Sequence, residues 1–427
     1  MKRLIIRLKN SAFVKNILIV MTGTALAQAI GFALTPIISR LFTPSDFGAF
    51  GSFTAIAGII GAGATLQYTQ ALMLPKKKTD AINLFVVACL STFILAILLL
   101  IVYFIIPSYF NGLMKTHGFW ALALLVVITI AFGLNQSFQA WCVRVKAFKH
   151  TSMSQVVRSF SSNGAQIGFG FLKAGAPGLI ISFVLANMLA SINLVRVVLS
   201  DLLTLRHAIR WSRIKQLAIE YRDFPMYSAS QNVINAVSSG LPVLLLTHFY
   251  GIAVAGAYAF GMRLLSAPMG FALTALRQVL FQKAAETQHQ GGSLSSLYIK
   301  ISAGLFGMGF FPSLVLFIWA PQIFTLVFGP QWHTAGIFAR ALILWMIFAF
   351  CNLPAVLFAR LIRIQRTVFF YDLGLLATRV MALMMGGLYL NALQTIIMIS
   401  IIGSVMNLFL IVLVGRALMK KECESNE

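Results

Sequence analysis

The chain has 427 residues, of which 59% are hydrophobic and only 10% charged, with a mean hydropathy of +0.89 and a net charge of +23. Soluble domains normally carry about 25% charged residues, so this composition excludes an ordinary soluble protein and indicates an integral membrane protein. The basic residues lie mainly in short segments between apolar runs. The positive charge is therefore attributed to topology and contact with anionic lipid, and no nucleic-acid partner is expected.

Uncharged runs recur along the chain, and each is long enough for at least one helix of about 20 residues that crosses a bilayer. Gly and Pro residues mark most of the breaks between them. We predict an all-α polytopic membrane protein with twelve transmembrane helices. In chain order these cover residues 13–38, 46–72, 81–106, 118–143, 153–172, 177–199, 224–249, 253–280, 297–319, 334–359, 367–388 and 393–416.

The distribution of basic residues predicts the orientation of these helices, because Lys and Arg are enriched in cytoplasmic segments. Most of the 33 Lys and Arg residues lie in every second segment, at 2–15, 76–78, 144–158, 196–222, 277–300, 360–366 and 416–421. The alternate segments hold only Arg40, Lys115 and Lys173. Both termini are therefore predicted to be cytoplasmic. A cleaved signal peptide ending near Ala27 is rejected, because it would place the basic segments on the wrong side.

The two halves of the chain show similar features in the same order. Pro36 and the start of the second helix at 46–50 (DFGAF) correspond to Pro242 and the start of the eighth at 254–258 (VAGAY). Six helices separate the copies, so both halves have the same orientation, which predicts a parallel repeat of two six-helix bundles. We assign the bundles to residues 1–200 and 224–427. Residues 201–223 form a cytoplasmic amphipathic linker, and the substrate path is expected between the bundles.

Three arginines lie inside predicted transmembrane helices: Arg263 in the eighth, Arg340 in the tenth and Arg379 in the eleventh. A charged side chain at mid-bilayer costs roughly 2.5–3.5 kcal/mol on insertion scales, so such residues usually face a polar cavity or a partner. Arginine also binds phosphate in a bidentate manner. We predict that these three residues bind an anionic substrate, and that Arg40, at the outer end of the first helix, does so as well. For the three arginines within helices, the alternatives are structural ion pairs and snorkelling towards headgroups. For Arg40, the alternative is an ordinary loop arginine beside Asp46.

Several uncharged polar residues are candidates for binding sugar hydroxyls, namely Gln67, Gln70, Gln231 and Asn235, although hydrogen bonding between helices is the commoner use of such side chains. Among the ten acidic residues, Asp372 is the clearest carboxylate within a helix, two turns before Arg379. It is the candidate for coupling transport to a proton or sodium gradient. Neutralisation of Arg379 is the alternative.

No catalytic arrangement is evident in the sequence. There is no Walker GxxxxGK[ST] motif and no acidic pair in a long outer loop. The four cysteines and six histidines are dispersed, without the spacing of a metal site. We therefore expect a protein that is not an enzyme and needs no cofactor or metal.

Four stretches resemble a known family. They are residues 40–48 (RLFTPSDFG), 66–75 (LQYTQALMLP), 221–228 (YRDFPMYS) and 328–332 (FGPQW). In this order they resemble Wzx-type oligosaccharide-lipid flippases of the multidrug/oligosaccharidyl-lipid/polysaccharide exporter superfamily, over nearly the whole chain. Many members of that family carry a glutamate at the position of Gln70, which argues against coupling through this position here.

The resemblance implies a twelve-helix fold in two bundles and alternating access. It implies transfer of undecaprenyl-pyrophosphate-linked oligosaccharide repeat units to the outer leaflet of the bacterial inner membrane, in O-antigen (lipopolysaccharide), capsule or exopolysaccharide synthesis. By the same resemblance, a polysaccharide polymerase and a chain-length regulator are candidate partners. Two alternatives remain, a multidrug exporter of the same superfamily and a scaffold of a polysaccharide assembly complex. Buried arginines argue against an exporter of cationic drugs, and a scaffold would not need them.

Overall fold

The computed structural model describes residues 12–105, 118–289, 293–362 and 364–426, and these residues are almost entirely helical. Residues 1–11, Lys115 and Arg363, which contribute to the predicted orientation, lie outside the described residues. The α-helices are α1 (Ala12–Leu41), α2 (Pro44–Gly63), α3 (Tyr68–Ala71), α4 (Lys78–Ile105), α5 (Gly118–Arg144), α6 (Phe148–Phe171), α7 (Gly175–Leu205), α8 (Trp211–Glu220), α9 (Ser230–Tyr250), α10 (Ile252–His289), α11 (Leu294–Phe328), α12 (His333–Cys351), α13 (Leu353–Leu361), α14 (Gln365–Tyr389) and α15 (Ala392–Asn426).

Eleven segments of the described chain are long and apolar enough to cross a membrane, which confirms the polytopic all-α fold. The predicted fifth helix is the exception. It forms α6, whose 24 residues are sufficient in length but include many Ser, Asn and Gln side chains. α6 packs against α1 and α7 along much of its length. Its polar residues therefore face neighbouring helices, which explains how so polar a segment is accommodated.

Two predicted helices are interrupted. The second ends at Gly63, and the chain resumes as the short α3 after Leu66 and Gln67, whose φ angles of 46° and 58° lie in the left-handed region. The tenth ends at Cys351 and restarts as α13, where Pro354 lies in the first turn. Breaks of this kind at membrane depth leave backbone groups that side chains must satisfy.

The chain forms two compact units. The first comprises Met1–Phe42 and Ser52–Gly240, within the limits of the described residues. In this unit α6 packs between α1 and α7, and α5 packs against both α4 and α7. One apolar core contains Phe53, Leu125, Ile128 and Val184.

The second unit comprises Thr43–Gly51 and Leu241–Glu427. Here α12 packs against α10, α11 and α15, and α14 packs against α15. The start of α2 belongs to this unit, where Phe47 lies 5.1 Å from both Phe260 and Trp332, measured between ring centres. A Cβ atom on Gly48 would lie 1.9 Å from the carbonyl oxygen of Ile252, so only glycine fits this contact.

The linker helix α8 is amphipathic and packs on the first unit. Ile214 and Leu217 are buried against Tyr68 and residues of α4. Arg213 Nε lies 2.8 Å from Asp80 Oδ1 at the start of α4, and this bond raises the pKa of the Arg213 guanidinium. The parallel repeat, the bundle boundaries at 200 and 224 and the cytoplasmic termini stay predictions.

Candidate substrate site

The predicted site residues are divided between the two units, and each group is described within its own unit. The second unit contains Arg263, Arg340, Arg379 and Asp372, and the first contains Arg40, Gln67, Gln70, Gln231 and Asn235.

Arg379 is the most buried of the four arginines, with 6% of its surface exposed. It lies in the middle of α14, and its guanidinium carbon is 4.6 Å from the centre of the Trp345 ring on α12. Attraction between a cation and an aromatic face strengthens when water is excluded. The structure thus holds a positive charge against an aromatic surface inside a membrane-spanning segment.

Trp345 is in turn positioned by α15. A Cβ atom on Gly403 would lie 2.7 Å from Trp345 Cδ1, so the indole occupies space that only glycine leaves open. The indole N–H has no hydrogen-bond acceptor among the residues that the structure describes. The ring therefore contributes its apolar surface and its π face at this position.

Further buried polar groups lie in the second unit, on α10, α14 and α15 and at the end of α12. Two tyrosines, Tyr258 on α10 and Tyr371 on α14, are buried within electrostatic range of Arg379. Two turns after Trp345, Asn352 Nδ2 donates to Asn407 Oδ1 at a distance of 2.7 Å, and both side chains are buried. Arg379 therefore has two buried tyrosine hydroxyl groups within electrostatic range inside the second unit.

The other predicted residues of this unit have different environments. Arg263 is half-buried on α10 and Arg340 is exposed on α12. Asp372 is half-buried on α14, two helical turns before Arg379. Among the four predicted arginines, Arg263 and Arg379 are thus the two that the fold withdraws from its surface.

An apolar cavity of about 250 Å³ follows Arg263 along α10. Its walls come from α10, α11 and α12 and include Leu265, Pro268, Met308, Pro312 and Phe350. Ser313 supplies a hydroxyl group in an otherwise almost entirely apolar lining. Apolar cavities of roughly 150 Å³ in proteins stay dry and bind benzene, so this one has room for a larger hydrocarbon group.

In the first unit, Gln67 and Gln70 meet at the interruption of the second predicted helix. Gln70 Nε2 donates to Gln67 Oε1 at 2.8 Å, and Gln67 Nε2 donates to the Ala62 carbonyl at 3.3 Å. Gln136 Nε2 similarly donates to the Gly61 carbonyl at 3.1 Å. These amides satisfy the carbonyl groups that the interruption frees. Gln67 is buried in this role, whereas Gln70 is exposed.

Gln231 and Asn235 lie one turn apart at the start of α9, so they share a face of the helix. Gln231 is half-buried and Asn235 is exposed. This part of α9 packs along the second half of α2, since a Cβ atom on Gly63 would contact Val233 at 3.5 Å. Two of the four predicted amides, Gln67 and Gln70, are therefore in direct contact, and the other two lie on a helix that packs beside them.

Arg40 is exposed near the end of α1. Six residues later in the sequence, the carboxylate of Asp46 caps the start of α2. Asp46 Oδ2 accepts hydrogen bonds from the Thr43 backbone N–H at 2.9 Å and from the Thr43 hydroxyl at 2.8 Å. The Thr43 hydroxyl in turn accepts from the Asp46 N–H at 3.2 Å. This reciprocal arrangement resembles a capping box, with aspartate in place of the usual glutamate.

A polar interface between α1 and α6 was not predicted. Thr24 Oγ1 donates to Gln155 Oε1 at 3.0 Å, and Ser159 Oγ donates to the Ala27 carbonyl at 2.5 Å. The side-chain oxygens of Gln28, Asn163 and Gln166 are buried without a hydrogen-bond donor among the described residues. The sequence signal was the unusually polar composition of residues 148–166.

No group of His, Cys, Asp and Glu suitable for a metal occurs within the described residues.

Comparison with solved structures defines the class of this protein. A multidrug resistance MATE family transporter of the MOP superfamily, in its inward-facing conformation, is 15% identical, covers 96% of each chain and gives a TM-score of 0.68. The lipid II flippase MurJ, in an inward closed conformation, is 13% identical over 93% of this chain and 87% of its own, with a TM-score of 0.75. The protein is therefore a multi-pass membrane protein with the fold of these transporters.

Residues 37–336 match the polysaccharide biosynthesis protein family, and the chain belongs to that family. No curated protein matches the sequence. The family and the fold agree with the expectation that the chain is not an enzyme. They also agree with the predicted resemblance to Wzx-type flippases.

Proposed function

We propose that this protein is a flippase that moves undecaprenyl-pyrophosphate-linked oligosaccharide repeat units from the cytoplasmic to the outer leaflet of the bacterial inner membrane. It would do so by alternating access, in the synthesis of a surface polysaccharide. The observation that carries the proposal is the buried guanidinium of Arg379 against Trp345. Membership of a polysaccharide biosynthesis family supports a glycan as cargo.

A pyrophosphate headgroup needs a substitute for water when it crosses hydrocarbon. Arg379 supplies charge at mid-helix, and the half-buried Arg263 supplies a second cation in the same unit. Planar guanidinium groups form paired hydrogen bonds with phosphate oxygens and stay charged at all physiological pH values. Arg340 and Arg40, which are exposed, are proposed to meet the headgroup as it enters or leaves.

The protein also offers surfaces that match the lipid tail and the sugars of such a substrate. The apolar cavity that follows Arg263 suits hydrocarbon, and we assign it to part of the polyprenyl tail. Gln70, Gln231 and Asn235 offer amide donors and acceptors to sugar hydroxyls, while Gln67 orients Gln70 through the bond between them. Asp372 is the proposed coupling residue, because it is a carboxylate within the same helix as Arg379.

The proposal is tested by reconstituting the purified protein in vesicles with a lipid-linked oligosaccharide and measuring its transfer between leaflets. Arg379→Ala is expected to abolish transfer. Arg366→Ala is the matched control, because Arg366 lies on the same helix, is exposed, and also lies over an aromatic ring, with its guanidinium carbon 5.9 Å from the Phe370 ring centre. Transfer at the wild-type rate by the Arg379→Ala variant would refute the assignment of the binding site.

Two other functions predict different results in the same preparation. A multidrug exporter would move organic cations across the vesicle membrane and leave the lipid-linked oligosaccharide in its original leaflet. A scaffold would move neither. In the host, deletion of a flippase gene is expected to accumulate complete repeat units on the cytoplasmic leaflet and to abolish the surface glycan.

A further inference from the structure

A second polar surface lies outside the proposed substrate site, where the linker helix α8 meets the turn between α3 and α4. The apolar side of α8 is already used, because Ile214 and Leu217 are buried against the first unit. The Tyr68 hydroxyl donates to the Ala218 carbonyl at 3.0 Å and adds to this attachment. The helix is therefore fixed to the protein, and its other faces are available for a different contact.

The exposed faces of α8 combine basic and large apolar residues. Trp211, Lys215 and Ile219 succeed one another at intervals of one turn, so they lie on one side of the helix. Trp211 is 70% exposed and Ile219 is 57% exposed. A basic residue flanked by an exposed tryptophan and an aliphatic side chain is typical of surfaces that lie at the boundary between headgroups and hydrocarbon.

The turn before α4 has the same composition. Met73 and Leu74 are exposed, and they are followed by the exposed Lys76, Lys77 and Lys78. Arg144 holds this turn in place, since its guanidinium donates to the carbonyl groups of Leu72 and Pro75.

Hydrogen bonds join the start of α4, directly after this turn, to the linker. Asn83 Nδ2 donates to the Ala208 carbonyl at 2.8 Å, and Asn83 Oδ1 accepts from the Arg210 N–H at 3.0 Å. Arg213 pairs with Asp80, so this carboxylate is already engaged. The first turns of α4 thus hold the two basic segments, the turn before α4 and the linker, side by side. We call their six exposed cations, Lys76, Lys77, Lys78, Arg206, Arg210 and Lys215, the basic platform.

We propose that the basic platform binds the headgroups of anionic phospholipids in the cytoplasmic leaflet, with Trp211 seated among them. Charge complementarity and the adjoining exposed apolar side chains favour a lipid surface as the occupant. Each basic residue near an anionic leaflet adds about 1 kcal/mol of attraction, roughly a fivefold preference. The attraction between exposed charges is weakened by salt.

The test measures the lipid around Trp211 directly and needs no transport. The full chain is reconstituted in phosphatidylcholine vesicles that contain either brominated phosphatidylglycerol or brominated phosphatidylcholine at the same mole fraction. Bromine quenches tryptophan fluorescence on contact, and the Trp211→Phe variant supplies the background from the other tryptophans. We expect brominated phosphatidylglycerol to quench the Trp211 signal several-fold more at low ionic strength, and the difference to shrink at high salt.

Matched charge changes complete the test. One variant neutralises five residues of the basic platform and is expected to abolish the difference in quenching between the two lipids. It combines Lys76→Gln, Lys77→Gln, Lys78→Gln, Arg210→Gln and Lys215→Gln. Arg416→Gln, Lys420→Gln and Lys421→Gln, which neutralise basic residues of the second unit, are expected to preserve it. Equal quenching by the two lipids in the wild-type protein would overturn the proposal. So would an undiminished difference in the platform variant. Neither outcome depends on whether the protein is a flippase.

Discussion

The guanidinium of Arg379 lies over the ring of Trp345, with 4.6 Å between the guanidinium carbon and the ring centre, inside a unit made of membrane-spanning helices. The aromatic face offsets part of the cost of keeping the charge away from water. A cation held in this way keeps its affinity for an anion. This relationship explains how a mid-helix arginine can be structurally tolerated and still serve as a binding group.

Trp345→Leu is expected to impair lipid-linked oligosaccharide transfer without abolishing insertion. A cation–π contact away from water contributes about 2 kcal/mol. Its loss should therefore lower the fraction of molecules with a correctly placed Arg379 side chain by roughly tenfold to thirtyfold. Trp345→Phe keeps an aromatic face and is expected to retain most of the activity. The measurement is the initial transfer rate in vesicles. Equal rates for the two variants would show that the aromatic face does not position Arg379.

Gly256→Ala is expected to destabilise the protein strongly. A Cβ atom on Gly256 would lie 1.8 Å from the Pro44 carbonyl oxygen, so α2 and α10 would have to move apart. Forced overpacking typically costs about 1–3 kcal/mol, and the thermal unfolding temperature in detergent should fall accordingly. Gly304→Ala is the control, because no atom lies within 4 Å of the added Cβ. Similar unfolding temperatures for both variants would contradict the close approach.

Gln67→Ala and Gln70→Ala are expected to separate a structural role from a binding role. Gln67 is buried and bonded to the Ala62 carbonyl, so its loss should lower the free energy of unfolding by about 1–3 kcal/mol. Gln70 is exposed, and its truncation should have little effect on stability but should reduce transfer. Thermal unfolding and transfer rates are measured on both variants. Full transfer activity in Gln70→Ala would remove Gln70 from the proposed sugar site.

Gly309→Leu is expected to fill the apolar cavity of the second unit. A Cβ atom at this position would meet Phe350 Cδ1 at 3.4 Å, an ordinary contact, and Gly309 lines the cavity, so we expect the rest of the leucine side chain to occupy it. Stability should be unchanged or slightly higher, while binding of a substrate with a long polyprenyl tail should weaken. A short-tailed analogue serves as the control ligand and should bind as it does to the wild-type protein. Equal losses for both ligands would argue against a tail site in this cavity.

The sequence was sufficient to predict the membrane-embedded helical fold, because apolar length and charge distribution depend on local composition alone. The matched segments 46–50 and 254–258 contain Gly48 and Gly256, and the structure brings these two residues together. A Cβ atom on Gly256 would lie 2.7 Å from the Gly48 backbone nitrogen, and each glycine faces the start of the other helix.

Other features depended on tertiary packing and were not predicted. Trp345 was indistinguishable from an ordinary apolar residue, because its contact with Arg379 requires two helices that are distant in sequence. The interruption at residues 64–67 was also missed, since the chain there remains apolar and the side chains that satisfy Gly61 and Ala62 come from residues 136 and 67. The polar interface of α6 with α1 was not predicted, because the sequence does not show which polar side chains of residues 153–172 meet a helix more than 100 residues earlier in the chain.

Asp372→Asn is expected to uncouple transport from an imposed ion gradient. Asp372 is a half-buried carboxylate two turns from Arg379, so its protonation or its binding of sodium would alter the charge near the proposed phosphate site. Transfer is measured in vesicles with a proton gradient, a sodium gradient or neither, and the gradient that accelerates the wild-type protein should lose its effect in the variant. Asp46→Asn, which alters the capping carboxylate of α2, is the control and should retain gradient dependence. Gradient dependence that persists in Asp372→Asn would leave neutralisation of Arg379 as the role of this residue, and Asp372→Asn should then lower thermal stability instead.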